Sequence, residues 1–104
     1  MGDVNALLQQ WIQQFDQSKS DGVNAVFQID SEHVIHHITV SEGECTLQEG
    51  EHSDPNVSLH LSGETLRDIM SGEQDGMMAF MSGNIQVDGD VMLAAKLMEL
   101  FPAS

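Results

Sequence analysis

Cys45, five histidines and seventeen acidic residues are the side chains of this sequence that could do chemistry, and their spacing limits what that chemistry is. His36 and His37 are neighbours in an alternating stretch, so on a strand they point to opposite faces and cannot chelate one ion together. His37 and His60 both fall on the polar side of their stretches and qualify as cross-strand neighbours. Two ligands without zinc-type spacing do not make a site, so no metal is expected and these histidines read as solvated strand residues. Cys45 falls on the apolar side of its strand, with no cation nearby in sequence to lower its pKa, and reads as a structural thiol. Gly72, Gly76, Gly83 and Gly89 sit where helix ends and turns need them, not in a phosphate-cradling loop. Asp88-Gly89-Asp90 resembles a fragment of a calcium loop but lacks the remaining ligands and the terminal Glu. These residues point to no enzyme and no cofactor. His36 stands apart, because it alone puts a polar group on an otherwise apolar face. It reads first as a core histidine with satisfied hydrogen bonds, and second as a contact for the polar end of a ligand held against the sheet.

The elements that must position these residues follow from periodicity. Val4, Leu7, Leu8, Trp11, Ile12 and Phe15 recur at helical spacing, with Asn5, Gln9, Gln10, Gln13 and Gln14 on the other side. Four alternating stretches follow, over 23–30, 34–40, 44–48 and 57–62, separated by turn residues at 31–32, 41–43 and 49–55. Ile85 and Val87 begin a fifth strand. Three further helices are predicted: one capped by Ser62 and closed by Gly72, one from Asp75 to Gly83, and one after Asp90. The fold class is therefore α+β: a five-stranded, antiparallel-like sheet, solvated on one face and covered by helices on the other. The 104 residues suit a single domain spanning 1–104.

The last third, from Gly72 to Phe101, holds two nearly polar-free helical stretches around that fifth strand. Met77, Met78, Phe80 and Met81 form the first; in the second, from Val91 to Phe101, only Lys96 and Glu99 are charged. A surface helix ordinarily shows one apolar stripe. Apolar residues around most of the circumference predict a further cover for the terminal helix: an apolar ligand, a partner chain or a membrane. Six of the seven methionines lie between Met70 and Met98, a concentration of flexible, polarisable side chains that suits varied apolar partners.

Charge narrows the partners. Lys19, Arg67 and Lys96 face seventeen acidic residues, for a net charge of -14. Nucleic acid is bound largely by phosphate neutralisation, which three scattered cations do not provide. Anionic lipid surfaces are disfavoured for the same reason. The Trp11 helix carries glutamine where interfacial helices carry Lys and Arg, so membrane contact through it is expected to be transient at most. Asp3 stands where a secretory signal would be basic, and the lone Cys45 has no internal disulfide partner. Both favour a cytoplasmic setting.

The block DPNVSLHLSGETLRDIM, followed by SGEQDGMMAFMSGNIQVDGDVMLAAKLMELF, resembles the sterol carrier protein type 2 domain, a lipid-transfer module. That family has a strand like Asp54 to Leu61, a short helix ending in a glycine like Gly72, and an AFmsG helix like Ala79 to Gly83. A strand and Gly-Asp turn like Ile85 to Asp90 then leads into a terminal helix with the pattern of Leu93 to Leu97. Residues 23–50 match more loosely, in strand spacing. Where the family's second strand often carries a Trp, this chain has His36 and His37. The domain also occurs fused to thiolases and dehydrogenases, of which nothing is present here. Arg and Lys are too few to cradle an acyl-CoA's phosphates. The resemblance implies an apolar tunnel between sheet and helices that holds a fatty acid, phospholipid, sterol or isoprenoid-like molecule. Its expected lining from the first half of the chain is Phe27, Val34, His36 and Ile38. From the second half it is Met70, Met77, Phe80, Met81, Ile85, Met92, Leu93, Leu97 and Phe101. The expected function is non-enzymatic lipid binding, with transfer or presentation. The alternative is an interaction or dimerisation module that docks its apolar C-terminal helix on a second copy or a lipid-metabolising partner.

Overall fold

The computed structural model describes residues 4–102; the Asp3 reading lies outside them. Helix α1 (Val4–Ile12) is followed by a short 3-10 turn (Gln17–Lys19) and strands β1 (Ala25–Ser31), β2 (Val34–Ser41), β3 (Glu44–Glu49) and β4 (Val57–Leu61). Helices α2 (Gly63–Ser71) and α3 (Gly76–Met81), strand β5 (Ile85–Gly89) and helix α4 (Val91–Leu100) complete the order. Helix starts follow the capping residues: the side chains of Ser62, Asp75 and Asp90 accept from Thr65 N, Met77 N and Met92 N at 3.1, 2.8 and 2.9 Å. Gly72 ends α2 in the left-handed conformation, with φ 84°.

The five strands lie in the order β3-β2-β1-β4-β5. Three neighbouring pairs are antiparallel, but β1 and β4 run parallel, so the sheet is mixed rather than uniformly antiparallel. The reason is burial. In β1 only Val26 and Asp30 are not fully buried, which suits a strand with neighbours on both sides, whereas every residue of β3 is at least partly exposed. β4 therefore passes over the polar edge of β3 and pairs with β1, and Asn56 pins the crossing. Its N–H donates to Val26 O at 2.9 Å and its side-chain oxygen accepts from Val26 N at 2.8 Å.

The core sits between the sheet and the helices. Phe27, Ile29, Ile38, Val40, Val57, Leu59 and Ile85 meet Leu8 and Trp11 of α1, Leu66 and Ile69 of α2, Ala79 of α3, and Leu97 and Leu100 of α4. The helical pattern of the first segment extends to Phe15, but α1 stops at Ile12. From there the chain tightens into i→i−3 turns, and Asp16 N donates to Leu100 O at 2.7 Å. This exit turns Phe15 onto Phe101, with ring centroids 5.4 Å apart.

Two expectations about exposure change. The loop over 50–56 folds back across the far face of the sheet, so Gln28 and His37 are buried there instead of solvated. His52 N donates to Gln28 Oε1 at 2.9 Å, and His37 uses its Nδ1 on Gly50 O, also at 2.9 Å. The terminal helix is covered by its own chain along most of its length. In α4 only Val91, Met92 and Glu99 are exposed, because Phe101 packs against α1 while Met98 lies over Gly76. Apart from Val34 on β2, the exposed large apolar side chains among the described residues fall on α3 and the first turn of α4: Met77, Met78, Met81, Val91 and Met92.

Candidate functional site

An apolar recess lies where α3 and α4 cross β4 and β5. Leu59, Ile85 and Val87 form its floor, Met77 and Phe80 one wall, and Val91, Ala94, Ala95 and Met98 the other, with Gly76 at one end. Among the described residues no charged side chain lines it. Small residues set the spacing: a Cβ on Gly76 would meet Met98 Sδ at 2.7 Å, so the thioether occupies the place a larger residue would fill. The enclosed volume is about 10 Å³, the space of one water-sized sphere. Gly76 and Met98 also border an open cleft of about 370 Å³ reaching Ile69, Phe101 and Pro102. Gln74 and Asp75 also line that cleft, and the flexible Met98 side chain is shared by the apolar crevice and this more polar one. Met77 in the crevice wall is partly exposed, and Met78, Met81 and Met92 on the same two helices form an exposed methionine rim of α3 and the start of α4, the last two 76% and 79% exposed.

The expected lining residues distribute unevenly. Met77, Phe80 and Ile85 meet in the crevice, and Phe101 borders the adjoining cleft. Met70 lines a separate recess between α1 and α2, with Leu7 and Arg67. Phe27, His36, Ile38 and Leu97 are wholly buried beneath the helices, and Leu93 is half-buried. Val34, Met81 and Met92 are exposed. Leu59, Gly76, Val87, Val91, Ala94, Ala95 and Met98 were not expected there. The signal that marks them is the pair of small residues at 94–95 facing Gly76, where two helices approach closely over a sheet.

The candidate chemical groups are otherwise engaged. His37 and His60 are not neighbours, because β1 lies between β2 and β4. His60 stands opposite Asp30, its Nδ1 3.3 Å from Asp30 Oδ2 and its Nε2 3.2 Å from Asp88 Oδ2. Asp90, the other acid of the Asp-Gly-Asp turn, caps α4. Among the described residues no group of three His, Cys, Asp or Glu is placed to hold a metal ion. Cys45 is half-buried against Ile12, and that burial pushes its thiol pKa up. Less thiolate means slower attack. Alkylation of Cys45 by iodoacetamide at pH 8 should run several-fold slower in the folded protein than in urea; equal rates would contradict the burial.

The fold that carries this crevice has counterparts among known proteins. The family model of the SCP-2 sterol transfer family matches residues 4–102. The chain belongs to the SCP-2 sterol transfer family. Its architecture accords with solved members of the fold. It is similar to palmitated SCP2L2 from Aedes aegypti, with 21% identity, a TM-score of 0.76, and 94% of this chain matched to 93% of that one. It is also similar to apo sterol carrier protein 2 from Yarrowia lipolytica, with 16% identity, a TM-score of 0.69, and coverage of 94% and 89%. A third likeness is to the sec-alkylsulfatase Pisa1 from Pseudomonas sp., with 21% identity and a TM-score of 0.79. There 90% of this chain covers only 15% of the enzyme, so the SCP-2 fold occurs both as a free-standing chain and within a much larger one. At such identities these likenesses establish the fold. No curated protein sequence matches the chain.

Proposed function

We propose that this SCP-2 chain, acting as one unit over 1–104, binds a long-chain lipid or isoprenoid-like molecule between its sheet and helices α3 and α4. It carries or presents that molecule without altering it. The observation that carries this reading is the crevice lined by apolar side chains alone, with Met98 packed over Gly76 at one end. Met side chains change rotamer at low energetic cost and pack on varied shapes, so Met98 and Met77 suit a wall that must part for a chain and close again. Phe27, Ile38 and Leu97 lie deeper and would border the far part of an inserted chain.

Hydrophobic transfer sets the expected result. Each methylene buried is worth about 0.8 kcal/mol, roughly a fourfold gain in affinity. Calorimetric titration with saturated fatty acids of increasing length should show affinity climbing by about that factor per carbon, then levelling as the crevice fills. Affinity independent of chain length, or no binding at all, would sink the proposal. Native mass spectrometry of the purified protein, with extraction of any co-purified lipid, would name the chemical class.

The methionine rim supports a second reading, in which α3 and the start of α4 dock on a second copy or on a lipid-metabolising partner. Exposed apolar surface of this kind is characteristic of interaction sites. Concentration-dependent dimerisation in sedimentation, abolished by Met81→Glu, would favour it.

A further inference from the structure

Three buried side-chain atoms have no hydrogen-bond partner among the described residues: Trp11 Nε1 on α1, and Ser31 Oγ and His36 Nδ1 on the sheet. His36 is 0% exposed and Ser31 1% exposed. Asn5 Nδ2 donates to His36 Nε2 at 3.1 Å, so with Nε2 as acceptor the ring's N–H is on Nδ1. Neither His36 Nδ1 nor Ser31 Oγ has a partner among the described residues. Buried polar atoms are nearly always satisfied, so two such atoms on adjacent strands call for a shared partner.

Ser31 and His36 share one face of two adjacent strands. Ser31 pairs with Val34 and Ile29 pairs with His36, which makes Ser31 and His36 diagonal neighbours on the helix-covered face of the sheet. The register also ties this place to the crevice. His36, Ile29, Leu59 and Val87 lie in one row across four strands. Leu59 and Val87 are floor residues of the crevice. His36 lies two strand spacings beyond Leu59, roughly 10 Å further along the same row.

We infer that His36 Nδ1–H and the Ser31 hydroxyl form an inner seat for the oxygen of an uncharged carbonyl (an ester, ketone or quinone). That oxygen belongs to the leading end of an apolar ligand that enters through the α3–α4 crevice. This deepens the proposed lipid-binding function and rests on it. Both free groups can donate, so they select an acceptor. A neutral oxygen is favoured over a carboxylate because the site is fully buried and the Glu49 carboxylate already stands 4.0 Å from His36 Nε2. An anion there would be desolvated beside a like charge. The ligand therefore lies with its polar end inward and its tail towards the methionine rim.

The test compares dodecan-2-one, dodecanoate and dodecane as ligands of the wild-type protein and of His36→Leu. The ketone should bind about tenfold more tightly than the alkane, the value of one buried hydrogen bond, and more tightly than the carboxylate. In His36→Leu the ketone's advantage should vanish while alkane binding persists. Carbonyl-13C-labelled ketone should shift downfield on binding, and the His36 ring 15N signals should shift with it, a readout that needs no variant to fold. Binding of all three ligands without discrimination and without a His36 shift would overturn the inner seat, with a buried water as its occupant, and leave the lipid-binding reading intact. Binding of none would remove the lipid-binding reading itself.

Discussion

Phe101→Ala is expected to lower the stability of the protein by about 3–5 kcal/mol, the range for an aromatic ring removed from a packed core. The ring is 2% exposed and packs at 5.4 Å against both Trp11 and Phe15. It is also the point where the end of α4 is held to the end of α1, beside the hydrogen bond from Asp16 N to Leu100 O. The cavity would lie at a junction of two elements, where neither can collapse without pulling on the other. For a domain of this size the loss corresponds to a fall in melting temperature of roughly 15–30 °C. Met92→Ala, at a position 79% exposed, should change stability by no more than about 0.5 kcal/mol and serves as the control. Thermal unfolding followed by circular dichroism measures both; a Phe101→Ala loss below 1 kcal/mol would mean that the aromatic cluster is not what holds α4 in place.

Gly89→Ala carries the second large effect, for a different reason. Gly89 closes β5 with φ 109°, where an L-residue is strained by roughly 1–2 kcal/mol. An added Cβ would also meet Asn56 O at 2.7 Å and Val57 Cα at 3.1 Å, both backbone atoms. Asn56 cannot retreat easily, because its main-chain N–H and its side chain are both bonded to Val26. Strain and overlap together should cost about 3–5 kcal/mol. Gly83→Ala provides the comparison: its φ is 88°, yet nothing lies within 4 Å of its added Cβ. That variant should lose only the strain component. Equal losses at the two positions, by urea denaturation, would show that the close approach at Asn56 carries no weight.

Much of the fold was legible because local rules decide it. Ser62, Asp75 and Asp90 announce three helix starts by their capping chemistry, and period-two alternation finds all five strands. Which strands become neighbours is a matter of burial across the whole sheet. Nothing near Val57 in sequence says that β4 pairs with β1 rather than β3. The same ignorance placed His37 beside His60 and left His37 solvated, when the 50–56 loop covers it. Residue type alone suggested a terminal helix bare on its outer side, but a side chain's cover depends on where distant residues such as Trp11 and Gly76 end up. The candidate site was half legible. Met77, Phe80 and Ile85 come from apolar runs that periodicity exposes, whereas Gly76, Ala94 and Ala95 matter for the room they leave, which apolar patterning does not record.

The parallel pairing of β1 with β4 has a consequence for how the chain assembles. Strands β1, β2 and β3 are joined by two-residue turns whose residues take positive φ (Glu32 with His33, and Glu42 with Gly43), and such hairpins zip on a timescale of microseconds. The other half of the sheet has no such shortcut. β4 gains its partner only after the whole β2–β3 hairpin and the following loop have been drawn into a closed circuit, at an entropic cost that precedes any gain from the contacts. One side of this small protein is therefore built early from local contacts, and the side holding the crevice is built late. The half that holds the crevice is the kinetically dependent half, completed against a template that the first three strands have already made.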